Sequence, residues 1–418
     1  MPSTSSPRLD YLDAVRAFAL LLGIAFHASL SFTPVYFGWA VMDISTSPIV
    51  STFMLISHSF RMPLFFLIAG FFTHMSLQRG GISSLFKNRL LRIGLPFIVG
   101  WIILRPLLVS GWVMGADSLQ GDVDIIKGLT LGFESLNQLP AGFLTGSHLW
   151  FLYYLLLFTI AAVILKPALQ WLAHTFKNAR SMSGRQTNTR NRNIASFLSS
   201  LRLDISLLAI PTAACLWFMS HWGIDTPDKS LVPNLPVTLL YGGFFYAGWV
   251  LFTNAASIEK FGAITGEKIF TAILAIIFCI KLSVYESQVG HEYYTWLKAL
   301  FAISYASMMW SLVALSIGLF RVIITKPNRI IRYFSDASYW LYLVHLPIVI
   351  WLQIAVAELP WHWSVKWLAV TGITIAISLL LYDLFVRPTV IGRVLNGSKK
   401  ASVILQKQVL TSPRLKAL

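Results

Sequence analysis

Residues 12–33 read LDAVRAFALLLGIAFHASLSFT, an apolar run that carries the ionisable side chains Asp13, Arg16 and His27. An α-helix of this length extends about 33 Å, which is enough to cross the ~30 Å hydrocarbon core of a bilayer. The run is too long and too charged to be the apolar region of a cleavable signal peptide. It therefore predicts a helix that stays in the membrane and carries polar groups into it.

Similar apolar runs recur along the whole chain, with no soluble domain between them. Most of them reach the length of about 20 residues that a spanning helix needs. The sequence predicts an all-α polytopic bundle of about ten transmembrane helices, formed by a single domain over residues 1–418. The ten predicted spans are 12–33, 50–75, 95–114, 147–172, 204–220, 236–254, 269–286, 295–320, 337–357 and 365–386.

The composition favours a membrane protein and excludes several other classes. Hydrophobic residues make up 56% of the 418 residues and charged residues 12%, against about 25% charged residues in a soluble domain. A soluble fold could not bury this much apolar surface, and disordered chains are poor in aliphatic and aromatic residues. The two cysteines, Cys215 and Cys279, exclude a multi-bridge secreted framework. Because metal-ligand spacings are also missing, we expect no metal and no permanently bound cofactor.

The net charge of +16 follows from membrane orientation. The two tails and every second segment between the predicted spans together carry 24 Lys and Arg residues. The remaining segments between the spans carry only Lys127 and Lys229. Basic residues collect in the cytoplasmic loops of membrane proteins, so this bias predicts that both termini are cytoplasmic. The basic loop 173–203 is predicted to be a linker. The basic tail from about residue 388 is predicted to be a cytoplasmic segment near anionic lipid. A nucleic acid partner is not needed to explain the charge.

Ionisable groups inside the spans indicate a polar cavity. Arg16 and His27 are eleven residues apart, so they share one helix face and lie about 16 Å apart along the axis. Asp13 lies one turn before Arg16 and can pair with it. The groups that fall at similar depths on four different spans are His27, His58, Arg61, Arg105 and His345. Because such groups are costly in lipid, they predict a shared cavity that opens at least to the outer side.

Some of these residues need no chemical role. A single buried histidine, such as His58 or His345, is more often a hydrogen-bonded structural group than a base. Arg105 can equally anchor a carbonyl group or a lipid head group. Lysines towards the span ends are expected to extend their ammonium groups to the membrane surface. These lysines are Lys166, Lys281, Lys298 and Lys366.

A histidine base fits this set of residues better than other catalytic devices. The sequence shows no nucleophile elbow of the G-x-S-x-G type and no Gly-rich phosphate loop. Histidine titrates near neutrality, so His27 can take a proton from a hydroxyl group. Arg61 or Arg105 can then stabilise an oxyanion or hold an anionic acyl group. The pattern favours transfer of an acyl group.

The basic residues before the third predicted span form a second candidate site. Lys87, Arg89 and Arg92 lie in the stretch KNRLLRIGLP, and Arg16 is predicted on the same side of the membrane. Arginine and lysine in such a group can hold phosphates of a cytoplasmic donor. Membrane orientation alone would also explain them.

Five motifs resemble the acyltransferase family 3 of integral membrane proteins. They are D-x-x-R-x10-H at 13–27, HSFRMPLFFLIAGFF at 58–72, R-x-x-R at 89–92, SHLWFLYYLLLF at 147–158 and S-x-x-x-Y-x-x-H-x-P at 338–347. The resemblance implies ten spans, an acyl-CoA co-substrate used from the cytoplasmic side and a carbohydrate acceptor. The N-terminal third and the segments around His148 and His345 are especially similar to members that succinylate osmoregulated periplasmic glucans in the bacterial inner membrane.

The resemblance also implies roles for the motif residues. His27 would be the catalytic base, with Arg16 as its motif partner and Asp13 holding Arg16. The expected reaction moves a succinyl group from succinyl-CoA to glucose hydroxyls of a periplasmic glucan, next to other glucan-biosynthesis proteins in the bilayer. The residues expected near the acyl group and acceptor are His58, Arg61, Arg105, His148, Tyr342 and His345. Those expected near the donor are Arg16, Lys87, Arg89 and Arg92.

Two other functions stay open on the sequence. One is an acetyltransferase that acts on O-antigen or exopolysaccharide sugars, because neither the family nor the motif spacing identifies the acyl group. The other is a proton-coupled exporter of a sugar or a lipid, because proton relays also use intramembrane His and Arg. The paired broken helices of many such transporters are not evident in the sequence.

Overall fold

The computed structural model consists of helices and connecting loops in the part of the chain that it describes. It describes residues 10–118, 121, 123–137, 147–181, 204–253, 255–397 and 399–404. Most of the predicted basic linker 173–203 and the end of the basic tail lie outside the described residues. The predicted all-α class is therefore confirmed for the described ranges, which contain no strand.

The helices follow one another through mostly short loops. Two π-helical turns at Leu90–Gly94 and Tyr382–Val386, and short 3-10 turns, extend several of them. The α-helices are α1 (Asp10–Ser29), α2 (Pro48–Arg89), α3 (Leu95–Asp117), α4 (Ile125–Glu134), α5 (Trp150–Ser181), α6 (Ile205–Trp217), α7 (Leu235–Phe252), α8 (Ala255–Phe261), α9 (Gly266–Leu282), α10 (Tyr294–Ile323), α11 (Arg329–Val356), α12 (Trp363–Leu381) and α13 (Val390–Asn396).

Seven helical stretches among the described residues are long and apolar enough to cross a membrane. One of them, Pro48–Asp117, is 70 residues long and contains two of the predicted spans, 50–75 and 95–114. The shorter apolar helices Trp150–Leu165 and Ile205–Trp217 lie at two further predicted spans. Every predicted span thus coincides with a helix, while the number of ten and the cytoplasmic position of the termini stay predictions.

The segment 76–94, expected as a loop, is almost entirely helical. Within α2 the backbone leaves helical geometry at Gly81, where φ is +69°, so two helical segments meet there at a kink. Glycine accepts this conformation at little cost because it has no Cβ. The π-helical turn Leu90–Gly94 then leads into α3. The prediction of a basic loop was wrong here because its charges lie on a helix end rather than on an irregular connection.

Polar side chains begin many of the helices. Ser47 accepts a hydrogen bond from the Ile49 amide at the start of α2. Asn328 accepts from the Ile330 amide, at 2.8 Å, at the start of α11. Such caps satisfy amides that have no partner within the helix. Asp124, which accepts from the Lys127 amide, begins α4 in the segment between the third and fourth predicted spans.

Helix α2 packs closely against α7 through two glycines. A Cβ added at Gly70 would lie 1.8 Å from the Phe245 carbonyl oxygen, and one at Gly248 would lie 1.7 Å from the Leu67 carbonyl oxygen. Only glycine permits this backbone approach, a common device for packing membrane helices. The contact fixes the half of α2 that carries the predicted polar residues.

Helix α1 lies inside the bundle, in contact with α2, α10, α11 and α12. Its apolar residues Val15, Ala19 and Ile24 are fully buried. By contrast, α9 exposes Phe270 and Ile273 on the outside of the bundle, as expected of a helix that faces lipid. The signature residues of the first span are therefore surrounded by protein rather than by lipid.

Candidate active site

A continuous cavity of about 2500 Å³ runs through the bundle along α1. At the end where α1 begins, the lining is predominantly cationic. We call this end the basic mouth, formed by Asp13, Arg16, Arg79, Arg89, Arg92, Arg332, Asp336 and Lys400. The end beyond the last turn of α1 is the acidic mouth, formed by Asp225, Asp228, Lys229 and Glu286.

Nearly all of the predicted site residues line this cavity. The prediction that groups at similar depths share a polar cavity is therefore confirmed. The residues that line it are Asp13, Arg16, His27, His58, Arg61, Arg89, Arg92, Arg105, His148, Tyr342 and His345. Lys87 is the exception, because its side chain is exposed on α2 and does not belong to the lining.

His27 lies in the middle of the cavity among aromatic rings. Its ring centroid is 5.3 Å from that of His345 and 5.8 Å from that of Trp39. The edge of Phe26 packs against it at 5.2 Å. The ring is partly open to the cavity rather than sealed in packing. These contacts orient the imidazole without a charged partner.

Three neighbouring histidines are each tied to the backbone of another residue. A carbonyl oxygen only accepts, so the ring nitrogen that faces it must carry the proton. The bonds are His58 Nε2 to Ile224 at 3.1 Å, His148 Nε2 to Leu343 at 2.9 Å, and His345 Nδ1 to Tyr342 at 2.8 Å. One nitrogen of each ring is thus committed to structure, as expected for buried histidines.

His27 differs from these three histidines. Within the described part of the chain, its ring donates and accepts no hydrogen bond, and its Nδ1 is buried without a partner. The described residues also place no carboxylate in hydrogen-bonding contact with it, unlike the arrangement of a serine protease triad. Buried polar atoms normally have a partner. An imidazole with both nitrogens available can accept a proton from a molecule that enters the cavity.

Arg61 is a second unusual group beside His27. It is only 4% exposed, its guanidinium packs over the Phe26 ring at 4.0 Å, and its Nη1 donates to the Gly23 carbonyl at 3.4 Å. Its Nε has no partner, and no carboxylate of the described ranges forms an ion pair with it. A buried charge without a counterion costs several kcal/mol. The position is therefore suited to an anion or a developing negative charge.

Arg105 and Tyr342 are held more firmly by the protein. Arg105 Nε donates to the Ser135 carbonyl at 3.4 Å, and its guanidinium lies 5.1 Å from the Trp101 ring centroid. The Tyr342 hydroxyl donates to the His148 carbonyl at 2.5 Å. Both still line the cavity. Their geometry agrees with the alternative that Arg105 anchors a carbonyl.

The basic mouth contains the predicted pair of the first span. Arg16 Nη2 lies 3.5 Å from Asp13 Oδ1 and donates to the Ser335 hydroxyl at 2.7 Å. The predicted pairing of Asp13 with Arg16 is therefore present in the structure. Arg89 donates to the Thr73 hydroxyl at 2.5 Å.

Gln353 and Trp39, which no sequence motif predicts as site residues, fix the C-terminal end of α1. Gln353 Nε2 donates to the His27 and Ala28 carbonyls at 3.0 and 3.1 Å, and its Oε1 accepts from Trp39 Nε1 at 2.9 Å. One amide thus ties the His27 backbone to the loop that carries Trp39. A lone glutamine in an apolar span was the available signal, since it also needs buried partners.

Lys366 does not extend to the membrane surface, so that prediction was wrong. Its ammonium is 0% exposed and donates to Asp43 at 2.7 Å and to the Ala357 carbonyl at 3.1 Å. The pKa of Asp43 is raised above its ordinary value, because the effect of burial exceeds that of the bonds from Lys366 and from the Ser45 amide, which lower it. The pair secures the loop between α1 and α2, which carries Trp39. Burying both charges is tolerated because they pair directly with each other.

The loop between α6 and α7 shapes the acidic mouth. Asp225 accepts from the Ser220 amide at 2.8 Å and from the His221 amide at 3.2 Å. Burial raises the pKa of Asp228 above its ordinary value. Ile224, in the same loop, accepts the bond from His58 described above. The loop that forms the acidic mouth therefore contacts His58 directly.

Comparisons with known proteins agree with this geometry. An acyltransferase family profile matches residues 9–383, which is nearly the whole chain. The chain belongs to acyltransferase family 3. The predicted family is therefore confirmed, and the protein is a multi-pass membrane acyltransferase. The matched range contains both the Asp13, Arg16 and His27 motif of α1 and His345 of α11.

Several curated proteins share most of the chain. Glucans biosynthesis protein C of Salmonella schwarzengrund (strain CVM19633) is 27% identical over 390 residues, covering 93% of this chain and 94% of that protein. The protein of the same name from Escherichia coli O1:K1 is 27% identical over 394 residues, with the same coverage. That of Salmonella heidelberg (strain SL476) is 26% identical over 390 residues. No solved structure matches the chain.

Proposed function

We propose that this acyltransferase moves a succinyl group from cytoplasmic succinyl-CoA to glucose hydroxyls of a periplasmic glucan. The observation that carries the proposal is the position of His27. Its ring is free of hydrogen bonds to the described residues and lies in a cavity that joins the basic mouth to the acidic mouth. The relatives named for glucan biosynthesis support a glucan acceptor.

The charge of the two mouths supports this direction of transfer. The positive-inside rule assigns the basic mouth to the cytoplasm. Arg16, Arg89 and Arg92 there suit the phosphates of an acyl-CoA, because arginine pairs with phosphate through two parallel hydrogen bonds. A neutral sugar needs no such charges and enters from the acidic mouth, where carboxylates accept hydrogen bonds from hydroxyl groups.

The reaction needs one proton carrier and one stabiliser of negative charge. His27 takes the proton of the sugar hydroxyl while the oxygen attacks the thioester carbonyl and forms the new C–O bond. The carbonyl electrons move to the oxygen, giving a tetrahedral oxyanion. When this intermediate collapses, the C–S bond breaks and the sulfur leaves with its electron pair. The sulfur receives the proton from His27, which yields CoA and the glucan ester.

Arg61 suits an acyl group that carries a charge. A succinyl group ends in a carboxylate, which can supply the counterion that Arg61 lacks among the described residues. An acetyl group has no charge at this end. The unpaired guanidinium therefore favours succinyl over acetyl as the transferred group. His148, Tyr342 and His345 would enclose the acyl chain and the sugar.

The proposal is tested by label transfer with the purified protein in detergent. We expect label from succinyl-CoA in the glucan as a base-labile ester, and far less label from acetyl-CoA. Label from acetyl-CoA alone, or label only in a surface polysaccharide, would contradict the proposed substrates. Ester formation in detergent would count against an obligate exporter, because detergent abolishes the gradient that transport requires. Glucan movement across sealed vesicles without any ester formed would indicate an exporter instead.

A further inference from the structure

The chain after the last span folds back onto the basic mouth. We call residues 387–397 and 399–404 the C-terminal strap. It begins beyond residue 383, where the family match ends. It includes the short helix α13, and its residues Leu395, Asn396 and Lys400 line the cavity. The strap therefore forms part of the wall of the basic mouth.

A buried aspartate anchors the strap to the bundle. Asp383 is 0% exposed and accepts from the Ser402 hydroxyl at 2.6 Å, the Val403 amide at 3.1 Å and the Ile404 amide at 3.0 Å. Arg387 pairs with the same carboxylate at 3.3 Å. A buried carboxylate is stable only with such a set of donors. These bonds fix residues 402–404 of the strap and hold the preceding residues, including Lys400, against the basic mouth.

Two contacts place the strap among the arginines of the mouth. Lys400 forms an ion pair with Asp336, and the Lys400 side chain is 31% exposed. A Cβ added at Gly397 would lie 2.2 Å from an Arg92 guanidinium nitrogen, so Arg92 lies directly on the strap. The strap thus brings a cation of its own beside one arginine of the R-x-x-R motif.

We propose that Lys400 is a phosphate-binding residue of the donor site, which exchanges Asp336 for a phosphate of the acyl-CoA. This inference rests on the proposed function, because it assumes a CoA thioester at the basic mouth. The mouth has six cationic side chains and two carboxylates, so an anionic ligand is favoured there. A partly exposed ion pair contributes only about 0–1 kcal/mol, and a dianionic phosphate readily replaces the carboxylate.

The exchange gives the two partners opposite effects on donor binding. Removing the Lys400 charge takes away one charge-assisted bond to phosphate, which weakens binding by roughly tenfold. Removing the Asp336 charge takes away the competitor for Lys400 and a repulsive neighbour of phosphate. Asp336→Asn should therefore bind the donor more tightly. A purely structural ion pair would instead make both substitutions weaken binding together.

The test is direct binding of free CoA to the purified full-length protein in nanodiscs of zwitterionic lipid. We expect Lys400→Ala to raise the Kd for CoA by roughly tenfold, Lys400→Arg to retain the affinity, and Asp336→Asn to lower the Kd. Lys399→Ala is the matched control, because Lys399 is exposed on the same strap and outside the cavity lining. Its Kd should equal that of the wild type.

The outcomes separate this inference from the proposed function. If the wild type binds CoA and Lys400→Ala binds it equally well, the assignment of Lys400 is overturned while the donor stands. If the wild type binds no CoA, the proposed function itself fails. If Lys400→Ala changes only the binding of phosphatidylglycerol vesicles and not of CoA, the residue serves a lipid head group and the assignment is likewise overturned.

Discussion

Replacing His27 by alanine is expected to reduce succinyl transfer by about 10² to 10⁴-fold, the usual contribution of a positioned general base. The reason is that the three histidines near it, His58, His148 and His345, each commit one nitrogen to a backbone carbonyl. None of them is free to rotate into the position of His27. His27→Gln should be equally inactive, because an amide keeps the polarity but does not take up a proton at neutral pH. The measurement is the initial rate of label transfer from succinyl-CoA to glucan.

The control for His27 is another buried histidine of the same membrane domain. His74 lies outside the cavity lining, stacks on Trp249 and donates to the Trp249 carbonyl at 2.8 Å. His74→Gln should lower thermal stability while the transfer rate per folded molecule stays close to that of the wild type. Elution as a monodisperse peak in detergent checks that the His27 variants fold. A folded His27→Ala protein with more than half of the wild-type rate would contradict its role as base.

The second large effect is expected at Arg61. Arg61→Met should reduce kcat/KM for succinyl-CoA by about 100-fold, because a charge-assisted bond to a buried carboxylate contributes about 1.5–3 kcal/mol. Acetyl-CoA carries no charge at the corresponding position, so the residual activity with acetyl-CoA should change much less. The measurement is the ratio of the two kcat/KM values in wild type and variant. The expected result is a change of this ratio towards acetyl-CoA.

The control for Arg61 removes an arginine outside the cavity. Arg321 pairs with Glu259 at 3.0 Å and is not part of the cavity lining. Arg321→Met should leave the ratio unchanged. An equal loss with succinyl-CoA and acetyl-CoA in Arg61→Met would show that Arg61 stabilises the shared oxyanion instead, and would remove the argument for a succinyl donor.

Much of this architecture can be predicted from local sequence patterns. The spans follow from runs of about 20 apolar residues. The shared face of Arg16 and His27 follows from the period of the helix. The clustering of polar groups follows from their cost in lipid. These signals are local, so a single sequence is enough to predict that Arg61 and His345 line one cavity.

The finer features depend on contacts between distant parts of the chain. Asp43 and Lys366 pair across 323 positions of sequence, so no periodicity links them. Whether a histidine is free depends on which carbonyl faces it, and for His58 that carbonyl belongs to Ile224. The role of Gln353 likewise needs the positions of α1 and Trp39. The motif of the first span already favours His27 as the base, and the tertiary structure adds that His58, His148 and His345 are tied to backbone carbonyls while His27 is not.

Acyl transfer through His27 requires that this residue be accessible from both sides of the membrane. Its accessibility is measured by labelling His27→Cys, in a Cys215→Ser, Cys279→Ser background, with membrane-impermeant thiol reagents applied to either side of sealed vesicles. We predict labelling from both sides, with CoA at the cytoplasmic face protecting the thiol against reagent added there. A thiol that reacts from neither side, or from one side only, would rule out His27 as the base for acyl transfer across the membrane.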